Sequence, residues 1–253
     1  MAKEGAVLAL VVLLGMRNQR LAPVCIQALH NLTCVDADYK GMERIVKALL
    51  NLPPLQSFDS TPYIVNALIN CSRFVWLRMR IIEDGALQTF TAFVNSVSHR
   101  ENRSELVHQM ALCLRQLSDS PNCRVDMISK GSVEMIPQLL PYCSERGVQL
   151  LIKTLHNLLG VVSTFPSIIF DISVTVVLDI ALHSSNPVVL QYADESFYIF
   201  TKERMRGNTR LTVRLLKALP KLLAASDSLT QFFSVTTSAN MFFQNLWLAI
   251  ALV

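Results

Sequence analysis

The chain has 253 residues, of which 51% are hydrophobic and 17% charged, with a formal net charge of +4. That composition can bury a sizeable core and excludes a disordered polymer. No run reaches the roughly 18 apolar residues needed to span a bilayer, and the small excess of cations does not by itself call for nucleic acid.

In chain order, the first feature is the twelve-residue apolar run "GAVLALVVLLGM" at 5–16. It reads as a core helix. Glu4 stands where a signal peptide is basic, and no small-residue cleavage site follows. Next comes "CIQALHNLTC", then "YKGMERIVKALL", the breaker "NLPPLQSFDSTP" and a helix ending in "ALINC". "IIEDGALQTFTAFV", "NSVSHREN" and "CLRQL" repeat that order, as do "MISKGSVEMIPQLL", "YCSERG" and "TLHNL". Ser144 and Asn186 sit at helix N-cap positions, and Pro187 takes the first helical place after Asn186. No segment alternates with the period of two that marks a strand. The expected class is therefore all-α.

The motif x-L-x-N-L sets the period. Copies are centred on Asn31, Asn70, Gln116, Asn157, Ile199 and Asn245, the last two being degenerate. The steps are 39, 46, 41, 42 and 46 residues. A glycine travels with the motif: Gly5, Gly41, Gly85 and Gly131 each precede an aliphatic helix. Glycine suits a place where one helix stops and the next starts at a sharp angle. Each unit of about 42 residues thus reads as short helix, glycine, helix, loop, longer helix. One such unit cannot bury its apolar face alone, so stacking is required.

"EDGALQTF" and "SKGSVEMIPQLL" resemble the second helix of the armadillo repeat, and "ALHNL" and "TLHNL" resemble its third. The resemblance extends over nearly the whole chain, most strongly over 1–161 and least over 204–253. It implies a right-handed α-solenoid of about six repeats, forming one domain over 1–253. The approximate repeats are 1–36 (partial), 37–78, 79–120, 121–161, 162–203 and 204–253 (degenerate). The HEAT repeat ranks second because it lacks the glycine-centred break. Neither end carries a polar capping face, so self-association through Leu246, Trp247, Leu248 and Ile250 is expected.

There is no phosphate loop, nucleophile elbow or HExxH, and the five histidines stand at no metal-ligand spacing. An enzyme and a cofactor are not expected. The resemblance instead implies a groove lined by third helices, in which Asn31, Asn70, Asn157 and, less closely, Asn245 hold an extended peptide backbone. Gln116 replaces the asparagine in the third repeat. An amide suits that task because it offers a donor and an acceptor to one peptide unit. Helix geometry adds the residues four before, Gln27, Asn66, Leu112 and Lys153, and those just before, His30, Ile69, Arg115 and His156. Two readings of the amides stay open: ligand contact, or bracing of adjacent repeats.

Importin-α-like arrays carry tryptophan four residues before the asparagine, whereas Trp76 and Trp247 lie elsewhere. Basic import signals are thus a poor match. Arg115 and Lys153 favour a neutral or acidic extended segment of another protein. A second candidate is the basic strip Arg210, Arg214, Lys217 and Lys221, spaced 4, 3 and 4 on one helical face. It would dock an acidic tail or, peripherally, a membrane surface; nucleic acid is the weakest of its readings. The six cysteines form no C-x-x-C pair, which points to reduced thiols inside the cell, first in the cytoplasm, with nucleus and cilium as alternatives. The competing functional reading is a structural subunit of a cytoskeletal, ciliary or membrane-tethered assembly, without peptide capture.

Overall fold

The computed structural model describes residues 2–16, 18, 20–34, 39–52, 60–97 and 103–203, together with Pro220, Ala224 and Thr237. The fold is all-α, and no strand occurs among the described residues. None of the described helices is long and apolar enough to cross a membrane. The chain divides into two compact units, residues 1–147 and 148–253.

Unit 1 opens with two helix pairs. They are α1 (Ala2–Gly15) with α2 (Ala22–Thr33), and α3 (Tyr39–Leu50) with α4 (Thr61–Ser72). A three-helix repeat follows: α5 (Val75–Glu83), α6 (Ala86–Val97) and α7 (Arg103–Ser118). Then come α8 (Pro121–Ser129) and α9 (Ser132–Leu139). Like packs on like. α4 lies between α2 and α7, α3 against α1, α8 against α5 and α9 against α6. This is how stacked repeats pool their apolar faces. α5 crosses the approximate repeat boundary expected between 78 and 79, so the third repeat begins at Val75.

The glycine rule holds in part. Gly85 and Gly131 have φ of 104° and 86°, the left-handed region that favours glycine, and each separates a nine-residue helix from the next. Gly5 and Gly41 do not break anything. They lie inside α1 and α3. Neither has the positive φ of the other two, and continuing a helix through an interior glycine costs only about 1 kcal/mol.

The junctions carry a bond that the motif search did not anticipate. Arg78 Nε donates to the Ser72 carbonyl at 2.7 Å, and Arg124 Nε to the Ser118 carbonyl at 3.0 Å. Both arginines follow their serine by six residues, and both answer a carbonyl in the last turn of a long helix, where no intrahelical partner exists. Lys130 Nζ likewise caps the Ile82 carbonyl at 2.7 Å.

Unit 2 contains most of α10 (Glu145–Leu159), followed by α11 (Ser167–His183) and α12 (Pro187–Glu203). Here a short 3-10 turn, Val162–Thr164, stands ahead of two long helices where a short first helix was expected. The sequence "SIIFDISVTVVLDIALH" contains neither glycine nor proline, so nothing divides α11. Both N-caps form as read. Gly147 N–H donates to Ser144 Oγ at 3.3 Å, and Val188 and Val189 N–H donate to Asn186 Oδ1 at 3.0 and 3.3 Å. The basic strip Arg210, Arg214, Lys217 and Lys221, together with Asn245 and the apolar residues 246–250, lies outside the described residues.

Candidate functional site

The motif's leucine position anchors α2, α4, α7, α10 and α12. Leu29, Leu68, Leu114, Leu155 and Phe197 occupy the same motif position, and all are 0% exposed. With that position fixed inward, helix geometry turns the residues around it outward. In unit 1, Gln27 and Asn31 of α2 are exposed. His30, Asn66, Asn70, Arg115 and Gln116 are half-buried, as are Lys153, His156 and Asn157 in unit 2.

The amides divide by neighbour. Asn70 Nδ2 donates to Thr33 Oγ1 at 3.0 Å and to Cys34 Sγ at 3.4 Å, both at the end of the preceding long helix. Ser72, which stands to Asn70 as Thr33 stands to Asn31, donates from its hydroxyl to Gln116 Oε1. A motif amide thus reaches back to the hydroxyl two residues beyond the motif amide of the repeat before. Asn31, in α2, makes no side-chain hydrogen bond among the described residues, and neither do Gln27 and Asn66.

The two LHNL copies build matching aromatic pairs. His30 lies 5.8 Å from the Tyr63 ring, and His156 lies 5.4 Å from the Tyr192 ring. Tyr63 precedes Asn70 by seven residues and Tyr192 precedes Ile199 by seven, so each tyrosine comes from the same place on the next helix that carries the motif. The frames differ. In unit 2, Lys153 Nζ sits 5.5 Å from the Tyr192 centroid, and His156 Nε2 lies 3.5 Å from Glu195 Oε2. Glu195 Oε1 also accepts from Gln191 Nε2 at 3.0 Å. In unit 1 the corresponding positions hold the neutral Gln27 and Asn66.

Burial lowers the pKa of His30 below its ordinary value, favouring the neutral ring, and its Nδ1 has no hydrogen-bond partner among the described residues. Arg115 is paired one turn on with Asp119. Burial pushes the thiols of Cys71, Cys113 and Cys143 up to about 12, which makes them poor nucleophiles. No cluster of three His, Cys, Asp or Glu among the described residues is placed to hold a metal.

The predicted residues Gln27, His30, Asn31, Asn66 and Asn70 gather on α2 and α4, Arg115 and Gln116 lie on α7, and Lys153, His156 and Asn157 lie on α10. The sequence reading missed Tyr63, Tyr192, Glu195, Thr33 and Ser72. Their signal was a fixed offset from the motif: minus seven for the tyrosines and plus two for the hydroxyls.

No family model matches the chain, and no curated protein matches its sequence. Solved structures do match its fold. A computationally designed armadillo repeat protein for modular peptide recognition aligns with TM-score 0.68 at 13% identity, over 92% of this chain and 98% of that one. A designed armadillo repeat protein in complex with the peptide (KR)4 aligns with TM-score 0.65, again at 13% identity and with the same shares. An engineered protein aligns with TM-score 0.61 at 18% identity, covering 94% of this chain and 97% of that one. The chain therefore has an armadillo-like α-solenoid fold.

Proposed function

We propose that this protein is a non-catalytic interaction scaffold, and that the outward face of its long helices binds an extended segment of another protein. One observation carries the reading. Gln27, Asn31 and Asn66 present three side-chain amides on adjacent helices, accessible and without hydrogen bonds among the described residues. An extended peptide exposes one donor and one acceptor per residue, which is what an accessible amide can satisfy. That two of the solved structures of this fold are described by the peptides they bind or recognise supports the same reading.

The segment is read as neutral in unit 1. Gln27, Asn31, Asn66 and Asn70 are uncharged, burial keeps His30 neutral, and Arg115 already has Asp119 as counter-ion. Tyr63 adds a flat apolar surface with a polar tip, suited to side chains of no fixed charge. The free cysteines, four of them buried, support a reducing compartment such as the cytoplasm.

The test is selection of binders from a random peptide library on the intact chain, followed by titration against alanine variants. Gln27→Ala, Asn31→Ala and Asn66→Ala should each weaken a selected peptide by roughly two- to tenfold while leaving the melting temperature unchanged. Affinities unmoved by the triple variant would place binding elsewhere.

A further inference from the structure

A pocket of about 400 Å³ opens between α1 and α3, lined by Val11, Leu14, Gly15, Arg44, Lys47, Ala48, Asn51 and Leu52. Neither helix contributes to the amide face described above. The volume falls within the range of small-molecule sites, where an apolar wall is combined with a few polar groups that orient the ligand. Here the apolar lining comes from Val11, Leu14, Ala48 and Leu52. Two cations stand among it: Arg44 and Lys47 are exposed and form no ion pair among the described residues. Glu43, the only carboxylate of α3, pairs with neither.

Gly15 is exposed at the edge of the pocket. A Cβ built on it would meet nothing within 4 Å, so the position borders empty space rather than a packed neighbour. The apolar surface also continues beyond the pocket. Leu8 and Val12 on α1 and Met16 just beyond its end, spaced by four, are 52%, 52% and 66% exposed. Three large apolar side chains in one row form a patch that invites an apolar partner.

We infer that this pocket binds a small anionic amphiphile, a molecule with a hydrocarbon tail and a carboxylate head. The tail lies against Val11, Leu14, Ala48 and Leu52 and extends toward Val12 and Leu8. The head meets Arg44 and Lys47, whose N–H donors can make charge-assisted hydrogen bonds to a carboxylate. A neutral tail would make no use of the two cations, and a bare inorganic anion would leave the apolar wall wet; a ligand with both parts uses the whole lining.

The experiment uses the full chain and dodecanoate below its micelle concentration, followed by calorimetry and by displacement of a fluorescent anionic probe. Gly15→Phe fills the pocket from a position with room for the ring. It should abolish binding while leaving the circular dichroism spectrum and melting temperature intact. Arg44→Glu with Lys47→Glu should weaken dodecanoate by about tenfold, the sum of two exposed charge contacts reversed. Dodecanol, with the same tail and no charge, should bind about tenfold less tightly than dodecanoate. Equal affinity for dodecanol and dodecanoate would overturn the assignment of the head to the two cations. Binding undiminished in Gly15→Phe, or no dodecanoate binding at all, would overturn the site. If Gly15→Phe proves unstable, Val11→Glu serves instead: a carboxylate on the tail wall should repel the ligand, and unchanged affinity again overturns the proposal.

Discussion

The histidines of the two LHNL copies occupy the same position and live in different electrical surroundings. His30 faces Tyr63 with Gln27 and Asn66 as its frame, all neutral. His156 faces Tyr192 in the same tilted arrangement, but Lys153 lies over that ring and Glu195 lies against the imidazole. The repeat therefore conserves shape between the two places while exchanging two amides for a cation and a carboxylate. Buried positions answer to packing, which tolerates little change, whereas outward positions are free to specialise.

The strongest test of that comparison lies beneath it. If LHNL marks one structural position, Leu29→Ala and Leu155→Ala should cost the same, since both leucines are 0% exposed. Each truncation should remove about 2–5 kcal/mol, the usual range for a core leucine. Chemical denaturation of the two variants measures it. A difference between them larger than that spread would show that the copies are alike in sequence and not in packing.

Next in size is the amide that works between repeats. Asn70→Ala removes the donor to Thr33 and Cys34 and should cost about 1–3 kcal/mol. Asn31→Ala, with no such bond among the described residues, should stay within about 0.5 kcal/mol of the parent. Thermal melts distinguish them. Equal losses would mean that the link from Asn70 to Thr33 contributes nothing that solvent does not replace.

Those two asparagines also show how far the sequence could be read. The period, the all-helical class and the buried leucines were legible because burial repeats with the helical period. The glycine breaks were legible only at Gly85 and Gly131, where the backbone takes a positive φ; at Gly5 and Gly41 the helix runs on through the glycine. The candidate face was half legible. Asn31 and Asn70 look identical in the motif, yet Asn70 has a hydroxyl from an earlier repeat within reach. That distinction depends on a contact 37 residues back in the chain. Glu195 was missed for the same reason: its motif copy is degenerate, and only packing brings it to His156.

A smaller effect separates the two frames by pH. The contact between His156 and Glu195 is an ion pair only while the imidazole is protonated. Their side chains are 24% and 18% exposed, so water screens the pair in part. Glu195→Gln should therefore cost about 0.2–1 kcal/mol of stability near pH 5.5 and nothing measurable near pH 8. Added salt should erase the loss. A penalty that is the same at both pH values would assign Glu195 to hydrogen bonding with Gln191 rather than to the histidine.

The smallest effect has the opposite sign. Burial depresses the pKa of His30, so the folded chain resists the proton that the unfolded chain accepts. As pH falls through about 6.5, the ordinary histidine value, the unfolded state binds more protons at this site than the folded one, and stability declines. Above that value both states hold a neutral ring and the site contributes no pH dependence. No charged side chain of its frame offsets this, because Gln27, Tyr63 and Asn66 are neutral across the window. His30→Gln removes the titration and keeps a polar side chain of similar reach. Its stability relative to the parent should improve as pH drops from 8 to 5.5, whereas Glu195→Gln should become relatively worse over the same range. The double variant should show a pH profile flatter than either single one. Denaturation midpoints at four or five pH values would show the two trends crossing. Parallel trends would mean that the neutral and charged frames impose the same proton balance on their histidines.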